Sequence, residues 1–298
     1  WSSGADYPYP VYGMYCFGIQ TAAVTALGYS SGPGGYVATA YEYDGTSYGS
    51  ETNPNRNPGS SGGGAGIQTA GLIIAGYNQP TNSAYDATES YNGSAWTALN
   101  NINTARQAPG TTGTTTAAIC FGGTAGTGPG PSQTSLDNTE TYDGTSWTEV
   151  NNLNTARCKG GASSTTNAAP TSVCGGGASP DGGTQVSNTE TYDGTSWTEV
   201  NNMNTARLLP GAAGASNTSA LIYAGAEAPG VQASAKTEAW DGTSWSEVAD
   251  LASAGWDPAS TGTGGAAIAV GRYTPAATLS STELWNDPAY TIKTVTVS

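Results

Sequence analysis

Short apolar runs ending in small residues recur along the chain: GLIIAGY from Gly71, AAICFGG from Ala117, TSVCGGG from Thr171, ALIYAGA from Ala220 and AAIAVG from Ala266. Each is too short for a stable helix and lacks a 3.6-residue spacing, so it reads as a strand buried on both faces. Before each run lies a stretch dominated by Gly, Ala, Ser and Thr, at 59–66, 109–116, 160–165, 210–216 and 260–265. After it comes TETYD or a variant, alternating with period two, then a Gly-Thr turn and SWTEV. Asp-Gly between two such runs is a strong hairpin signal. The pattern predicts units of four short strands, here a to d from the small-residue strand outward, with almost no helix.

These units repeat. NTETYDGTSWTEVNNLNTAR, 138–157, returns at 188–207 with one change, Leu153 to Met203. Aromatic-Asp or aromatic-Asn pairs stand at 43, 91, 142, 192, 240 and 285, spaced 48, 51, 50, 48 and 45 residues apart. That period signals a propeller or solenoid. In a radial array the inner strands converge where only small side chains fit, whereas Tyr91, Tyr142, Tyr192, Trp240 and Trp285, with Trp96, Trp147, Trp197 and Trp245, fill the wider outer wedge. Six units supply the strand c pair, but only five supply a downstream strand d aromatic, Tyr48 being the first. Trp1 is the orphan sixth, so the N-terminus is expected to give strand d to the C-terminal unit; the tail 291–298 is the rival strand. The expected blades are 10–51, 59–100, 107–150, 158–200, 208–249 and 259–286 with 1–6, in one domain, with a tail strand at 287–298.

Composition sharpens this picture. Few Leu, Ile, Val and Phe and a formal charge of −14 would alone point to disorder, but 17 Tyr and 8 Trp bury enough area to replace the missing aliphatics. With only 8 Lys plus Arg, nothing basic is clustered for a phosphate backbone or an anionic membrane surface. No apolar run reaches transmembrane length. The start at Trp1, without an initiator Met, is read as part of a longer or processed polypeptide. Cys16, Cys120, Cys158 and Cys174 match no zinc spacing. Two readings stand: small core residues, with Cys120 and Cys174 aligned to Ala75 and Ala224, or a Cys158–Cys174 bridge across a hairpin.

The small doublet closing strand b, the aromatic-Asp pair closing strand c, the Trp that follows and the N-T-A-R segment together resemble the kelch repeat, in six copies over nearly the whole chain. The resemblance implies an all-β, six-bladed kelch-like propeller of four-stranded antiparallel blades, closed by the N-terminal strand in the C-terminal blade. Tyr48 in place of Trp, Gly255 where an arginine is expected, and Gly76-Tyr77 in place of the doublet imply less regular units. The YDGTSWTEVNNLNTAR copies and the closing TIKTVTVS also resemble kelch-type regions of marine bacteriophage virion proteins.

Histidine is absent, which removes imidazole-based triads and the ligands that kelch-fold copper oxidases depend on. Glu89, Glu140, Glu190, Glu238 and Glu283 recur once per unit, two residues before the strand c aromatic. A glycosidase needs two carboxylates converging at one place, so this recurrence points to a structural task. Arg56, Arg106, Arg157 and Arg207 are the expected partners. Asp143, Asp193 and Asp241 precede turn glycines and read as turn formers, not calcium ligands. The Asn pairs beginning at Asn100, Asn151 and Asn201 are expected to cap the d-to-a crossovers, with glycan contact as the alternative.

The b–c loops (77–86, 123–137, 177–187, 226–235, 273–280) differ most between units and share one end of the ring with the d–a crossovers. Tyr77 and Tyr273 open two of them and are candidate ligand contacts. The expected function is a non-catalytic binding or structural module of a virion, extracellular, without cofactor or metal, meeting host-surface glycan or other virion proteins and no nucleic acid or membrane interior. A kelch-fold sugar isomerase or lyase, and a cellular protein-binding propeller, are the alternatives.

Overall fold

The computed structural model describes residues 1–31, 35–57, 59–127, 134–158, 160–163, 171–173, 184–227 and 232–287, with backbone alone at 163 and 171–173. The described residues form strands and no helix. Six four-stranded antiparallel sheets carry the architecture. In the first, Tyr15–Ile19, Ala22–Ala26, Ala40–Tyr43 and Tyr48–Glu51 follow in order. The second holds Gly63–Ile67, Ala70–Ile74, Thr88–Tyr91 and Trp96–Ala98. Gly110–Thr114, Ala117–Phe121, Thr139–Tyr142 and Trp147–Val150 make the third. Ala162–Ser163, Thr171–Val173, Thr189–Tyr192 and Trp197–Val200 make the fourth. The fifth is Gly211–Ser216, Ser219–Tyr223, Thr237–Trp240 and Trp245–Val248. In the sixth, Ala259–Gly262, Ala266–Tyr273 and Thr278–Asn286 are joined by Ser2–Ser3, which pairs antiparallel with the last of them. The a strands touch in chain order, and that of the sixth sheet packs against that of the first. The chain is an all-β propeller.

Crowding at the hub explains its composition. A Cβ on Gly64 would lie 2.1 Å from the Cys16 carbonyl oxygen of the neighbouring a strand, so no larger residue fits. Farther out, each strand c aromatic stands opposite a strand d aromatic: Tyr142 and Trp147 are 5.0 Å apart, Tyr192 and Trp197 4.9 Å, Trp240 and Trp245 5.3 Å. Such tilted pairs contribute about 0.5–1.5 kcal/mol beyond the area they bury.

The indoles also tie neighbouring sheets together. Trp147 donates Nε1–H to Thr88 Oγ1 at 3.2 Å, Trp197 to Thr139 at 2.9 Å, Trp245 to Thr189 at 3.1 Å and Trp1 to Thr237 at 3.0 Å, in each case reaching strand c of the preceding sheet. Tyr48 reaches the corresponding Thr282 with its hydroxyl at 2.8 Å, so the aromatic that departs from the repeat keeps the bond. The preceding sheet offers Ala40 to Trp96, which donates instead to the Thr52 carbonyl at 2.7 Å.

Register corrects three expectations. The second a strand is Gly63–Ile67; Gly59–Ser60 pairs instead with Tyr77–Asn78, because Ser61 turns into the left-handed region (φ 53°) and breaks the extended backbone. The strand b doublet of the second unit is Ala75-Gly76, at φ 59° and 107°, the geometry of Gly122-Gly123 at 59° and 95°, so this unit is as regular as the third. Cys120 faces Glu140 as Ile73 faces Glu89 and Ile222 faces Glu238, and so does not align with Ala75 and Ala224. It fills an aliphatic core position.

Candidate functional site

At one end of the ring the crossovers and b–c loops form small extra ladders. Gly59–Ser60, Tyr77–Asn78 and Ser83–Ala84 make one, and Arg207–Leu208, Ala226–Glu227 and Gln232–Ala233 another. Single bridges do the same at Tyr12 with Tyr29, Gln107 with Thr124 and Trp256 with Tyr273. The expected sharing of one end by d–a and b–c connections is thus visible. On the axis, a cavity of about 120 Å³ is bordered by main chain and small side chains of several a strands, with Asp257 and Cys16 among the polar groups.

A collar of main-chain hydrogen bonds rims this cavity. Ser61 N–H donates to Gly13 O at 2.8 Å, Gly13 N–H to Asp257 O at 3.1 Å, Asp257 N–H to Leu209 O at 2.8 Å and Ala108 N–H to Ser61 O at 2.6 Å. All five residues are left-handed, with φ between 51° and 63°. A non-glycine residue there costs about 1–2 kcal/mol in steric terms. Replacing Ala108 by glycine is therefore expected to stabilise the protein by about 0.5–1 kcal/mol, read as a higher urea midpoint at unchanged slope.

The repeated arginines and glutamates meet inside the sheets. Arg106 Nη2 lies 2.6 Å from Glu140 Oε1 and Arg207 Nη2 2.6 Å from Glu238 Oε1; Arg56 Nε lies 2.9 Å from Glu89 Oε1, and Arg157 pairs with Glu190. All eight residues are buried. Each pair does more than cancel charge. Glu140 Oε2 accepts Asn103 N–H at 2.7 Å, and Oε1 accepts Thr104 N–H at 3.1 Å. Arg106 Nη1 donates to the carbonyl of Gly122, the left-handed residue of the doublet, at 3.1 Å. The glutamate clamps the incoming crossover and the arginine satisfies the carbonyl left by the doublet's turn. Doublet, arginine and glutamate therefore recur as one device.

Gly255 occupies the main-chain place of Arg106, since Gly225 N–H donates to Gly255 O as Gly76 N–H donates to Arg106 O. The missing guanidinium comes from Arg272, whose Nη2 lies 2.7 Å from Glu283 Oε1. A Cβ on Gly255 would lie 2.6 Å from Arg272 Cγ, so the two side chains compete for one space. The irregularity expected at Gly255 is repaired from strand b of the sixth sheet, which sequence spacing could not reveal.

The remaining predicted residues are also placed. Asn100, Asn151 and Asn201 donate side-chain amides to the carbonyls of Thr145, Thr195 and Thr243 at 2.7, 2.9 and 2.7 Å, on the c–d turn of the next sheet. They bridge sheets instead of capping their own crossovers. Capping falls to Asn103, Asn154 and Asn204, whose N–H groups meet the buried glutamates at 2.7, 2.8 and 2.7 Å. Their signal was the N of each N-T-A-R segment. Tyr77 is buried and donates to Asn82, while Tyr273 is half-buried. Cys158 is buried beside Ser135; Cys174, and with it the bridge, lies outside the described residues, as do the tail 288–298 and parts of the b–c loops. Burial pushes the Cys16 and Cys120 thiols up to about 12, which leaves them protonated and unreactive.

Asp143, Asp193 and Asp241 accept two successive backbone N–H groups at 2.7–2.8 Å, as Asp44 does. Bonds from the Thr46 hydroxyl, then the Ser47 and Thr46 N–H groups, hold Asp44 down at about 2, and backbone N–H groups lower the other three. A carboxylate lowered on folding stabilises above its unfolded value, about 3.9, and that stability disappears as pH falls through the folded value. Changing all four to asparagine is expected to flatten the loss of stability between about pH 4 and the Asp44 value of about 2. Denaturation midpoints across that range measure it.

Two carboxylates outside the repeat pattern converge at one phenol: Tyr91 Oη lies 3.1 Å from Glu42 and 3.3 Å from Glu51. Burial, then the Glu51 charge, raises Glu42 against the Tyr91 hydrogen bond. This pair sits between strands c and d of the first sheet and the second sheet, away from the axis. Among the described residues no three His, Cys, Asp or Glu gather as a metal site, and no helix is long and apolar enough to cross a membrane.

No protein-family model and no curated protein matches this chain. The solved structure of YjhT is similar to it with a TM-score of 0.80 over 96% of this chain and 98% of that one, at 12% sequence identity. That likeness supports a kelch-like β-propeller fold.

Proposed function

We propose that this propeller is a non-catalytic binding and structural module of a bacteriophage virion, in a tail, fibre or decoration, that presents its b–c face to host-surface glycan or a neighbouring virion protein. The observation that carries the non-catalytic part is the state of the repeated charges. Each of Glu89, Glu140, Glu190, Glu238 and Glu283 is buried against its own arginine. Carboxylates held this way serve the scaffold, leaving none of them as a general acid at the axial mouth. The repeat sequences that resemble virion kelch regions support the setting. The loops of the b–c face, which differ between units on a repeated frame, support a contact surface there.

Host-cell adsorption of particles carrying the chain with shortened b–c loops tests the reading. Adsorption is expected to fall at least tenfold; unchanged adsorption removes the receptor-binding role, and absence of the chain from purified particles removes the virion setting.

A further inference from the structure

We propose that a row of aromatic rings on the b–c face is the docking surface for a neutral oligosaccharide. This deepens the binding reading above and rests on it. The row runs Trp256, Tyr273, Tyr12, Tyr29, Tyr36, Tyr77, with successive centroids 5.1, 5.1, 5.4, 5.1 and 5.3 Å apart. It crosses from the sixth sheet through the first to the second. Five of the rings are part-exposed, and Tyr77 closes the row at 8% exposure.

The scaffold does not need these rings. The residue at the same ladder position is Tyr29, Tyr77 or Tyr273 in the first, second and sixth units, but Thr124 in the third and Ala226 in the fifth. Its crossover partner is Tyr12, Ser60 or Trp256 in the three aromatic units, against Gln107 or Leu208 elsewhere, with the antiparallel pairing kept. One register thus works with or without aromatics. Their concentration on three adjacent sheets is an addition to the fold and marks a contact surface.

Chemistry then selects the occupant. Ring faces stack on the C–H faces of pyranoses, while phenol hydroxyls donate to and accept from sugar hydroxyls. Two of the phenols are held firmly protonated: burial and the neighbouring Tyr77 push Tyr36 up to about 12, and burial with the Asp257 charge raises Tyr12 as well. Every described lysine and arginine is already paired with a glutamate, and an acid, Asp257, flanks Tyr12. An anionic sugar would meet repulsion without a counter-charge. A neutral glycan meets neither penalty.

The test is affinity electrophoresis and array binding of the full chain against neutral gluco-, manno- and galacto-oligosaccharides, with uronic-acid oligosaccharides beside them. Wild type is expected to bind at least one neutral glycan. Tyr29→Thr/Tyr273→Ala, at two part-exposed rings and carrying residues the third and fifth units hold there, is expected to bind at least tenfold more weakly while its circular-dichroism spectrum stays that of the folded chain. Should that variant fail to fold, Trp256→Gln, after Gln107 in the third unit, takes its place. Equal binding by a folded variant overturns the aromatic row while the binding module stands. Binding of acidic glycans alone, or of none, overturns the neutral-glycan assignment, and particle adsorption then decides the broader reading separately.

Discussion

Arg272→Ala is expected to destabilise the protein by about 3–5 kcal/mol, because it strands a buried carboxylate. Glu283 would retain Ala252 N–H at 2.6 Å and Ser253 N–H at 3.2 Å but lose its only guanidinium. Gly255→Arg alone is also expected to destabilise, since its side chain enters the space that Arg272 fills. The pair Gly255→Arg/Arg272→Gly gives the sixth unit the doublet and the crossover arginine found in the third, and is expected to recover most of the loss. Urea unfolding of the four proteins makes a double-mutant cycle whose coupling should be favourable and larger than about 1 kcal/mol. Additive effects would mean that the two arginine positions are not interchangeable.

Deleting Trp1–Ser3 is the second large effect. Trp1 packs against Tyr223 at 4.7 Å and Trp285 at 5.6 Å and bonds Thr237, while Ser2 and Ser3 pair with Leu284 and Glu283. Loss of an aromatic so placed costs about 3 kcal/mol or more, and the outer edge of Thr278–Asn286 is left without its partner. The shortened chain is expected to unfold at lower urea and to self-associate with rising concentration, seen by sedimentation velocity. An unchanged midpoint and a monodisperse chain would assign the outer position of that sheet to another segment.

Much of this architecture was legible in the sequence because its signals are periodic. The aromatic-Asp pairs near every fiftieth residue, the small-residue stretches and the two-sided apolar runs specify an all-β propeller. The devices that escaped reading have no periodic mark. Arg272 lies in a different strand from the residue it replaces. The collar puts Ser61, Ala108, Leu209 and Asp257 in left-handed backbone, where glycine or asparagine would have announced a turn. Asn100 and Asn103 look alike in sequence, and only the direction of the crossover decides that the first bridges sheets while the second caps. The aromatic row stayed hidden because its members come from crossovers and loop openings of different units, and only the ring brings them together.

The bonds at the sheet boundaries have an evolutionary consequence. Trp147 to Thr88, Trp197 to Thr139, Trp245 to Thr189 and Trp1 to Thr237 are one contact made four times, and Asn100 to Thr145, Asn151 to Thr195 and Asn201 to Thr243 are another made three times. A wedge copied or exchanged among these positions by recombination would find familiar neighbours on either flank. The near-identity of 138–157 and 188–207 keeps those joints the same while the loops between them differ, so a loop can change without any joint having to be rebuilt.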